Sequence, residues 1–255
     1  MIENKRQKQI LDILERQGAV SVKRLTSVLY VSEATVRRDL CELERLGMIK
    51  RTFGGAVPVA EVNRQIPFLV RESMNSTAKS EISKRASALI RDGMVVFLDG
   101  STTAQYMVKY LRSFSDLVVV TNGLKVAELM DELSIKTYCT GGMMMKRSLV
   151  FTGRHAEAMV DSLNIDICFL ACRGMNNQGV FSDAAEQETN LRRHVLNRSK
   201  TRVLLMTGDK IGRTYMHTLC YSKDVDYVIS NGQLPENLPL RALPSEGGQP
   251  TATLL

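Results

Sequence analysis

The first sixty residues carry apolar positions at helical spacing in three consecutive segments. In the third segment Val36, Leu40 and Leu43 recur at intervals of four and three, which places them on one face of a helix. Ser32 favours the start of this helix, because its hydroxyl can accept hydrogen bonds from the free amides of the first turn. A glycine that readily ends helices follows the segment. The pattern therefore predicts a helix over about residues 33–46.

Two shorter helices precede this one and a hairpin follows it. The first has its apolar side within residues 10–14, and the second begins after Ser21. Residues 30–31 alone separate the second helix from the third, which is the short connection of a helix-turn-helix. Downstream, residues 48–51 predict a strand and residues 53–55 a tight turn. The order of elements predicts a winged helix-turn-helix.

The outer side of the third helix carries arginine and short polar side chains. At about 100° per residue from Val36, Arg38 lies on the opposite side and Arg37 on the flank. Such a face is most often merely solvated, but the preceding helices and the wing favour contact with DNA. Lys5, Arg6, Lys23 and Arg24 are further candidates for phosphate contacts, with a solvated role as the alternative. The candidate DNA contacts are Ser32, Glu33, Ala34, Thr35, Arg37, Arg38, Arg51, Thr52, Gly54 and Gly55.

Length and charge fit this division of the chain. With 255 residues and 44% hydrophobic content, the chain has room for a second, larger domain. Residues 1–60 hold 11 lysines and arginines against 7 acidic residues, a net charge of +4 out of +7. No apolar run is long enough to span a bilayer and the start is polar, so we predict no membrane contact and a cytoplasmic location. The five cysteines lack disulfide or zinc spacing, and neither a metal nor a cofactor is predicted.

Beyond residue 78, apolar strands alternate with helices. This alternation predicts an α/β fold with a mainly parallel sheet covered on both faces. The predicted strands lie at 94–98, 117–121, 136–140, 165–172, 201–206 and 225–230, and the helices at 79–91, 103–111, 124–133, 156–163 and 184–198. We predict a DNA-binding domain over 1–58, a linker over 59–78, an α/β domain over 79–231 and a loosely ordered tail over 232–255.

Three predicted strand-to-helix turns carry groups suited to a ligand. Ligands of parallel sheets bind beyond the carboxyl ends of the strands, where backbone amides and hydroxyls can hold a phosphate. Routine capping or turn formation explains any one of these turns equally well, but three at one edge favour a site. The residues concerned are Asp99, Gly100, Ser101, Thr102, Thr103, Thr121, Asn122, Gly141 and Gly142.

Several motifs together resemble the DeoR-type bacterial transcription regulators. They are VSEATVRRDL, ELERLG and KRTFGGA in the first domain, followed by DGSTT, a Thr-Asn turn and a Gly-Gly turn. The family usually has a histidine at the position of Phe53. The resemblance implies an effector domain similar in fold to sugar-phosphate isomerases. It also adds Arg173 and Lys210 as candidate effector contacts.

The resemblance implies a transcription regulator that represses genes of carbohydrate metabolism. Its expected partners are a double-stranded DNA operator and a phosphorylated sugar, with no catalysis. Because one short helix reads few bases, a homodimer or homotetramer is expected. One alternative is an isomerase-like enzyme carrying a DNA module, for which Asp99, Asp183, Glu186 and Glu188 are available acids. Another is a winged helix that binds protein instead of DNA.

Overall fold

A computed structural model describes residues 5–58, 66–236 and 238–239 of the chain. The chain divides between Met74 and Asn75 into two compact units. Residues 59–65 of the predicted linker and the predicted tail from residue 240 onward lie outside the described residues. Within the described ranges, no helix is both long and apolar enough to cross a bilayer.

The first unit contains the predicted winged helix-turn-helix. Its first three helices are α1 (Lys5–Gln17), α2 (Val22–Leu29) and α3 (Glu33–Arg45), and its strands are β1 (Val20–Ser21), β2 (Ile49–Thr52) and β3 (Gly55–Pro58). The strands form an antiparallel sheet in the order β1-β3-β2. The sequence pattern did not indicate β1, because two residues are too few to show alternation. The helix-turn-helix and the wing are confirmed.

Apolar stripes of the three helices meet in the core of the first unit. Val36, Leu40 and Leu43 are buried, as their spacing predicts, and they cluster with Ile10 of α1 and Leu25 of α2. Removing such side chains from water stabilises the unit by about 1.5–3 kcal/mol each. The core therefore fixes which face of α3 points outward.

Residues 66–78 of the predicted linker contain helices that the sequence pattern did not indicate. This stretch contains α4 (Phe68–Ser73) and the first turn of α5, which begins at Ser76. Phe68 and Val70 of α4 are buried, and Val70 belongs to the first unit's core. A helix of six residues is too short to show a helical period, so only its burial reveals it.

The second unit is built on the predicted parallel sheet. Its strands are β4 (Val95–Leu98), β5 (Val118–Thr121), β6 (Lys136–Cys139), β9 (Ile165–Ala171), β12 (Ser199–Met206) and β14 (Tyr227–Ser230). They lie in the order β14-β12-β9-β4-β5-β6. The helices are α5 (Ser76–Ser87), α6 (Thr102–Gln105), α7 (Val108–Leu111), α8 (Leu124–Glu132), α9 (Arg154–Asp161) and α10 (Glu186–Arg198). The helix predicted over 103–111 is in fact the two short helices α6 and α7.

Apolar clusters cover both faces of this sheet. Along β9, Cys168 and Leu170 belong to the cluster that includes residues of α9 and α10. Ile167 and Phe169 alternate with them and belong to the cluster on the other face, with residues of α5, α7 and α8. This arrangement confirms the prediction of a parallel sheet covered on both sides.

Short antiparallel strands that the sequence pattern did not indicate complete the second unit. They form a hairpin of β7 (Met143–Met145) with β8 (Val150–Thr152), and a small sheet of β10 (Gly174–Met175), β11 (Val180–Asp183) and β13 (His217–Tyr221). The hairpin follows β6, and β10 follows β9. Both additions therefore lie beyond carboxyl ends of the parallel strands.

Candidate functional site

The outer face of α3 carries most of the predicted DNA contacts. Ser32 caps the helix, because its Oγ accepts a hydrogen bond from the Thr35 amide at 3.3 Å. Arg37 forms an ion pair with Glu33 at 3.2 Å, and both side chains are half exposed. Arg38 is exposed and forms no ion pair with any residue that the structure describes. The helix thus offers at least one guanidinium that a negatively charged ligand can bind.

The wing is attached to α3 through Arg51. The Arg51 amide donates to Glu44 Oε1 at 2.9 Å, and its Nη1 lies 2.8 Å from Cys41 Sγ. Thr52 and Gly54 of the wing are exposed, as a DNA contact requires. Gly55 is buried, and a Cβ there would lie 2.4 Å from the Val20 carbonyl oxygen in β1. The missing side chain permits β3 to pair closely with β1, and contact of Gly55 with DNA stays a prediction.

One arginine near this face has a structural role. Both Arg6 Nε and Arg6 Nη2 donate to the Asp39 carboxylate, the latter at 3.1 Å, and Asp39 is buried on the inner side of α3. The hydrogen bond to Asp39 raises the pKa of Arg6 above its ordinary value. This pair joins α1 to α3 and makes Arg6 a poor candidate for a phosphate contact.

The predicted effector residues of the second unit gather at one edge of the sheet. They follow five strands that are consecutive in the sheet order, namely β12, β9, β4, β5 and β6. Parallel strands present all their carboxyl ends at the same edge. The residues brought to this edge are Asp99, Gly100, Ser101, Thr102, Thr103, Thr121, Asn122, Gly141, Gly142, Arg173 and Lys210.

At the centre of this edge, polar side chains hold neighbouring loops together. Gly100 N donates to Asn122 Oδ1 at 2.9 Å, and Thr121 Oγ1 donates to the Leu98 carbonyl at 2.7 Å. The backbones also come very close, since a Cβ on Gly100 would lie 2.8 Å from Gly123 Cα. The loops after β4 and β5 are therefore packed tightly against each other. Several of their polar groups already form hydrogen bonds between the two loops.

The Gly-Gly turn after β6 has two different halves. Gly142 adopts a φ of +103°, and a Cβ there would lie 2.5 Å from the Thr152 carbonyl oxygen of β8. Gly141 has a φ of +62° and open space around its missing side chain. The close backbone approach predicted at this turn is therefore made to the hairpin at Gly142, while Gly141 borders open space.

A buried arginine that the sequence analysis did not single out lies behind the edge. Arg192 of α10 reaches Asp99 at 3.3 Å, Asp183 at 2.8 Å and Glu188 at 3.2 Å, with its side chain 7% exposed. Ser148 donates to Glu188 and so links the β7–β8 hairpin to this group. The signal available in the sequence was the spacing of Glu188 and Arg192, four residues apart on a helix.

Burial and charge act against each other in this cluster. Burial raises the pKa of the Asp183 carboxyl above its ordinary value, although Arg192 opposes that shift. Burial alone would lower the pKa of Arg192, but Asp99, Asp183 and Glu188 outweigh it and raise that pKa. Arg192 therefore remains charged and holds three acids that the sequence had offered as catalytic candidates, while the fourth, Glu186, is exposed.

Two predicted cationic contacts lie next to this cluster. Arg173 Nε is 3.4 Å from Asp183 Oδ1, and Lys210 Nζ donates to the Cys172 carbonyl at 2.8 Å. Both residues are partly exposed, unlike Arg192. They are therefore the cationic members of this group that combine a fixed position with access to solvent.

Family models match both units. The DeoR-like helix-turn-helix domain matches residues 6–62, and the DeoR C terminal sensor domain matches residues 74–232. The chain is 32% identical to the uncharacterized HTH-type transcriptional regulator YulB of Bacillus subtilis (strain 168), over 92% of this chain and 91% of that protein. It is 30% identical to the HTH-type transcriptional regulator GolR of Listeria innocua, over 93% and 94%. It is also 30% identical to the L-fucose operon activator of Haemophilus influenzae, over 92% and 94%.

Among solved structures, ribose 5-phosphate isomerase A from Methanocaldococcus jannaschii aligns with a TM-score of 0.41 and 16% identity, covering 54% of this chain and 55% of that one. The sequence matches extend over both units, and the first unit is a winged helix with arginines on its exposed face. The chain belongs to the DeoR family of helix-turn-helix, DNA-binding transcription regulators.

Proposed function

We propose that this regulator binds an operator through α3 and the wing, and that a phosphorylated sugar bound to the second unit controls it. In this proposal the chain represses genes of carbohydrate metabolism. The observation that carries it is the exposed face of α3, where Arg38 has no ion pair among described residues and Arg37 has one exposed partner. A phosphate or base edge can compete for both guanidinium groups.

The proposed DNA contacts divide into two groups. Ser32, Glu33, Ala34, Thr35, Arg37 and Arg38 face the major groove, which is wide enough to admit a helix. Arg51, Thr52 and Gly54 contact the DNA backbone from the wing. Each arginine that neutralises a phosphate releases a counterion, so the affinity should fall steeply as the salt concentration rises.

The proposed effector site lies beyond the carboxyl ends of β4, β5, β6, β9 and β12. Arg173 and Lys210 supply its positive charge, and both are fixed by contacts to neighbouring groups. The loops that carry Asp99, Thr121 and Gly141 shape its floor and walls. A sugar phosphate suits this combination, because its dianion matches the cations and its hydroxyls match backbone and side-chain acceptors.

Control by the effector requires a difference in binding. A ligand shifts DNA affinity only if it binds one arrangement of the protein more tightly than another. We propose a homodimer or homotetramer, in which paired α3 helices read a repeated site. The effector then changes the arrangement of the paired DNA modules.

One titration tests both halves of this proposal. A duplex selected by the wild-type chain from a random-sequence pool is bound at several salt concentrations, with and without a panel of pentose and hexose phosphates. Replacing Arg37→Ala and Arg38→Ala together should weaken binding at least about 30-fold, since each good contact contributes about 1–3 kcal/mol. Arg91→Ala with Arg112→Ala is the matched control, because it removes two exposed arginines from the second unit.

Each result has a defined meaning. Equal loss in both double variants would contradict the assignment of α3, and an affinity that no sugar phosphate changes would contradict the effector site. Because the Haemophilus relative is named as an activator, a reporter under the selected operator measures the direction of control. If the protein is a repressor, expression of the reporter should rise when the gene for this protein is deleted.

The isomerase-like alternative has less support. Asp99, Asp183 and Glu188 all contact Arg192, so each of these acids already has a cationic partner. The relatives reported above are named as regulators of transcription. Turnover of any sugar phosphate in the same panel would restore the enzyme alternative.

A further inference from the structure

An aromatic side chain stands fully exposed at the tip of the wing. Phe53 has no measurable burial and lies in the turn between β2 and β3. Gly54 beside it adopts a φ of +85° with open space around it. Single apolar side chains are common on protein surfaces, so exposure alone does not assign Phe53 a role. A role for Phe53 is instead indicated by the contacts that hold its turn in place and by the positive charge of its neighbours.

The turn that carries Phe53 is held in place on both sides. The Gly54 carbonyl accepts a hydrogen bond from Val22 N, the first residue of α2, at 2.8 Å. Gly55 is pressed against β1, and the Arg51 amide is bonded to Glu44 of α3. The wing tip therefore keeps a fixed position relative to α2 and α3, so an aromatic ring there loses little freedom when it binds.

Contacts of Arg51 show which face of the unit the tip belongs to. Its guanidinium lies against Cys41 of α3. Cys41 is one helical turn after Arg37 and Arg38, so the three residues share one stripe of the helix. Phe53 lies in the turn that directly follows the strand of Arg51. The tip that carries Phe53 is thus joined to the side of α3 that carries the arginines.

We propose that Phe53 is an apolar wedge that enters the minor groove next to the major groove occupied by α3. This inference rests on the proposed function. The surroundings fit DNA, because Lys50, Arg51 and Arg38 on this unit are exposed and cationic. Apolar side chains inserted into the minor groove partly unstack a base step and bend the duplex. The 2-amino group of guanine projects into that groove, so Phe53 makes the protein prefer A·T pairs at the contacted step.

The first test compares Phe53→Ala with the wild type on the selected duplex. Because Phe53 is fully exposed, the substitution leaves the core intact, which circular dichroism verifies. Loss of the wedge should weaken binding about tenfold, in line with the loss of one base–aromatic contact. Replacing G·C by inosine·C pairs beside the α3 site removes the 2-amino group alone. It should strengthen wild-type binding and leave binding by Phe53→Ala unchanged.

The second test uses the absence of tryptophan from the chain. Phe53→Trp introduces a single tryptophan, whose fluorescence acrylamide should quench strongly in the free protein and several-fold less on the selected duplex. Tyr221→Trp is the matched control, because Tyr221 is an exposed aromatic residue in the second unit. Its quenching should not change with DNA.

The outcomes separate this inference from the proposed function. If Arg37→Ala with Arg38→Ala abolishes binding while Phe53→Ala binds normally, the wedge is wrong and the operator-binding function stands. The wedge is equally overturned if the indole of the Phe53→Trp variant stays accessible to acrylamide on DNA, or if Phe53→Ala retains the inosine effect. If the wild-type chain selects no duplex, the proposed function itself fails, and the wedge fails with it.

Discussion

Arg37 of the first unit and Arg192 of the second unit lie in opposite environments. On α3 the Arg37 side chain is 53% exposed and its ion pair with Glu33 is bordered by water. In the second unit Arg192 is 7% exposed and contacts three carboxylates. The guanidinium of Arg37 is accessible to an anion that approaches from solvent. The guanidinium of Arg192 is buried in ion pairs that stabilise the fold. The same residue type is therefore accessible to a ligand on α3 and held by buried ion pairs in the Arg192 cluster.

Desolvation explains the difference. An exposed ion pair contributes at most about 1 kcal/mol, so exchanging its partner for a phosphate is easy. A buried guanidinium cannot leave its partners without exposing them as uncompensated charges in a poorly solvated site. Arg192 therefore holds the loops of the sheet edge together, whereas Arg173 and Lys210 next to it are partly exposed.

Removing Arg192 should have the largest effect. Arg192→Met leaves Asp99, Asp183 and Glu188 without their shared cation, and the free energy of unfolding of the second unit should fall by about 3–5 kcal/mol. Hydrogen exchange measured on peptides from β4 and α10 reports this change. Arg38→Met is the control and should alter stability by less than about 0.5 kcal/mol. Similar losses of stability in Arg192→Met and Arg38→Met would contradict the different roles of the buried and the exposed arginine.

The ion pair of Arg6 with Asp39 tests whether an arginine also stabilises the first unit, with a smaller effect. Arg6→Met leaves Asp39, which is 4% exposed, without its guanidinium. Because Arg6 itself is partly exposed, water can reach the carboxylate, and the loss should be only about 1–3 kcal/mol. Denaturant unfolding of the full chain, followed by exchange in α1 and α3, measures it. A loss as large as that of Arg192→Met would show that burial of the arginine is not what sets the size of the effect.

The sequence predicted which side of α3 is exposed. Ser32, Arg37 and Arg38 lie on the exposed side because apolar spacing fixes which face of α3 is buried. The burial of Gly55 was not predicted, because it depends on β1, a two-residue strand without a pattern of its own. Most of the parallel strands were predicted from apolar runs, which buried strands require, whereas the edge strand β6 is mostly exposed.

Arg192 escaped sequence analysis for a physical reason. A charged residue on a helix is normally solvated, and only the tertiary structure brings Asp99 and Asp183 from two other segments to its guanidinium. The loops of the sheet edge were found because they follow predicted strands. Their internal hydrogen bonds, such as that from Gly100 N to Asn122, depend on strand order and could not be derived from spacing.

The smallest expected effect concerns a partly exposed pair outside the Arg192 cluster. Asp166 accepts hydrogen bonds from the Lys200 ammonium and the Val95 amide, which together lower its pKa below the ordinary 3.8. A carboxylate with a lowered folded-state pKa adds stability above that ordinary value, and this stability is lost as the pH falls through the folded-state pKa. Between about pH 5 and pH 3, the wild type should lose about 0.5 kcal/mol more than Asp166→Asn, since solvent screens the pair.

Thermal unfolding at several pH values in that range measures the difference. Lys223→Met, which removes an exposed lysine beside a different strand, serves as the control and should keep the wild-type pH dependence. Identical curves for the wild type and Asp166→Asn would show that the hydrogen bonds to this carboxylate do not contribute to stability.

The close approach of Gly100 and Gly123 has a consequence for how related regulators diverge. A methyl group at either position would collide with the backbone of the other loop, and Gly142 is equally confined by Thr152. Substitution is therefore closed at Gly100, Gly123 and Gly142, and it is strained at Gly141, whose φ is +62°. The partly exposed Lys210 after β12 has no such restriction. We expect a change of ligand preference to evolve from the β12 side of this edge, with the glycines inherited unchanged.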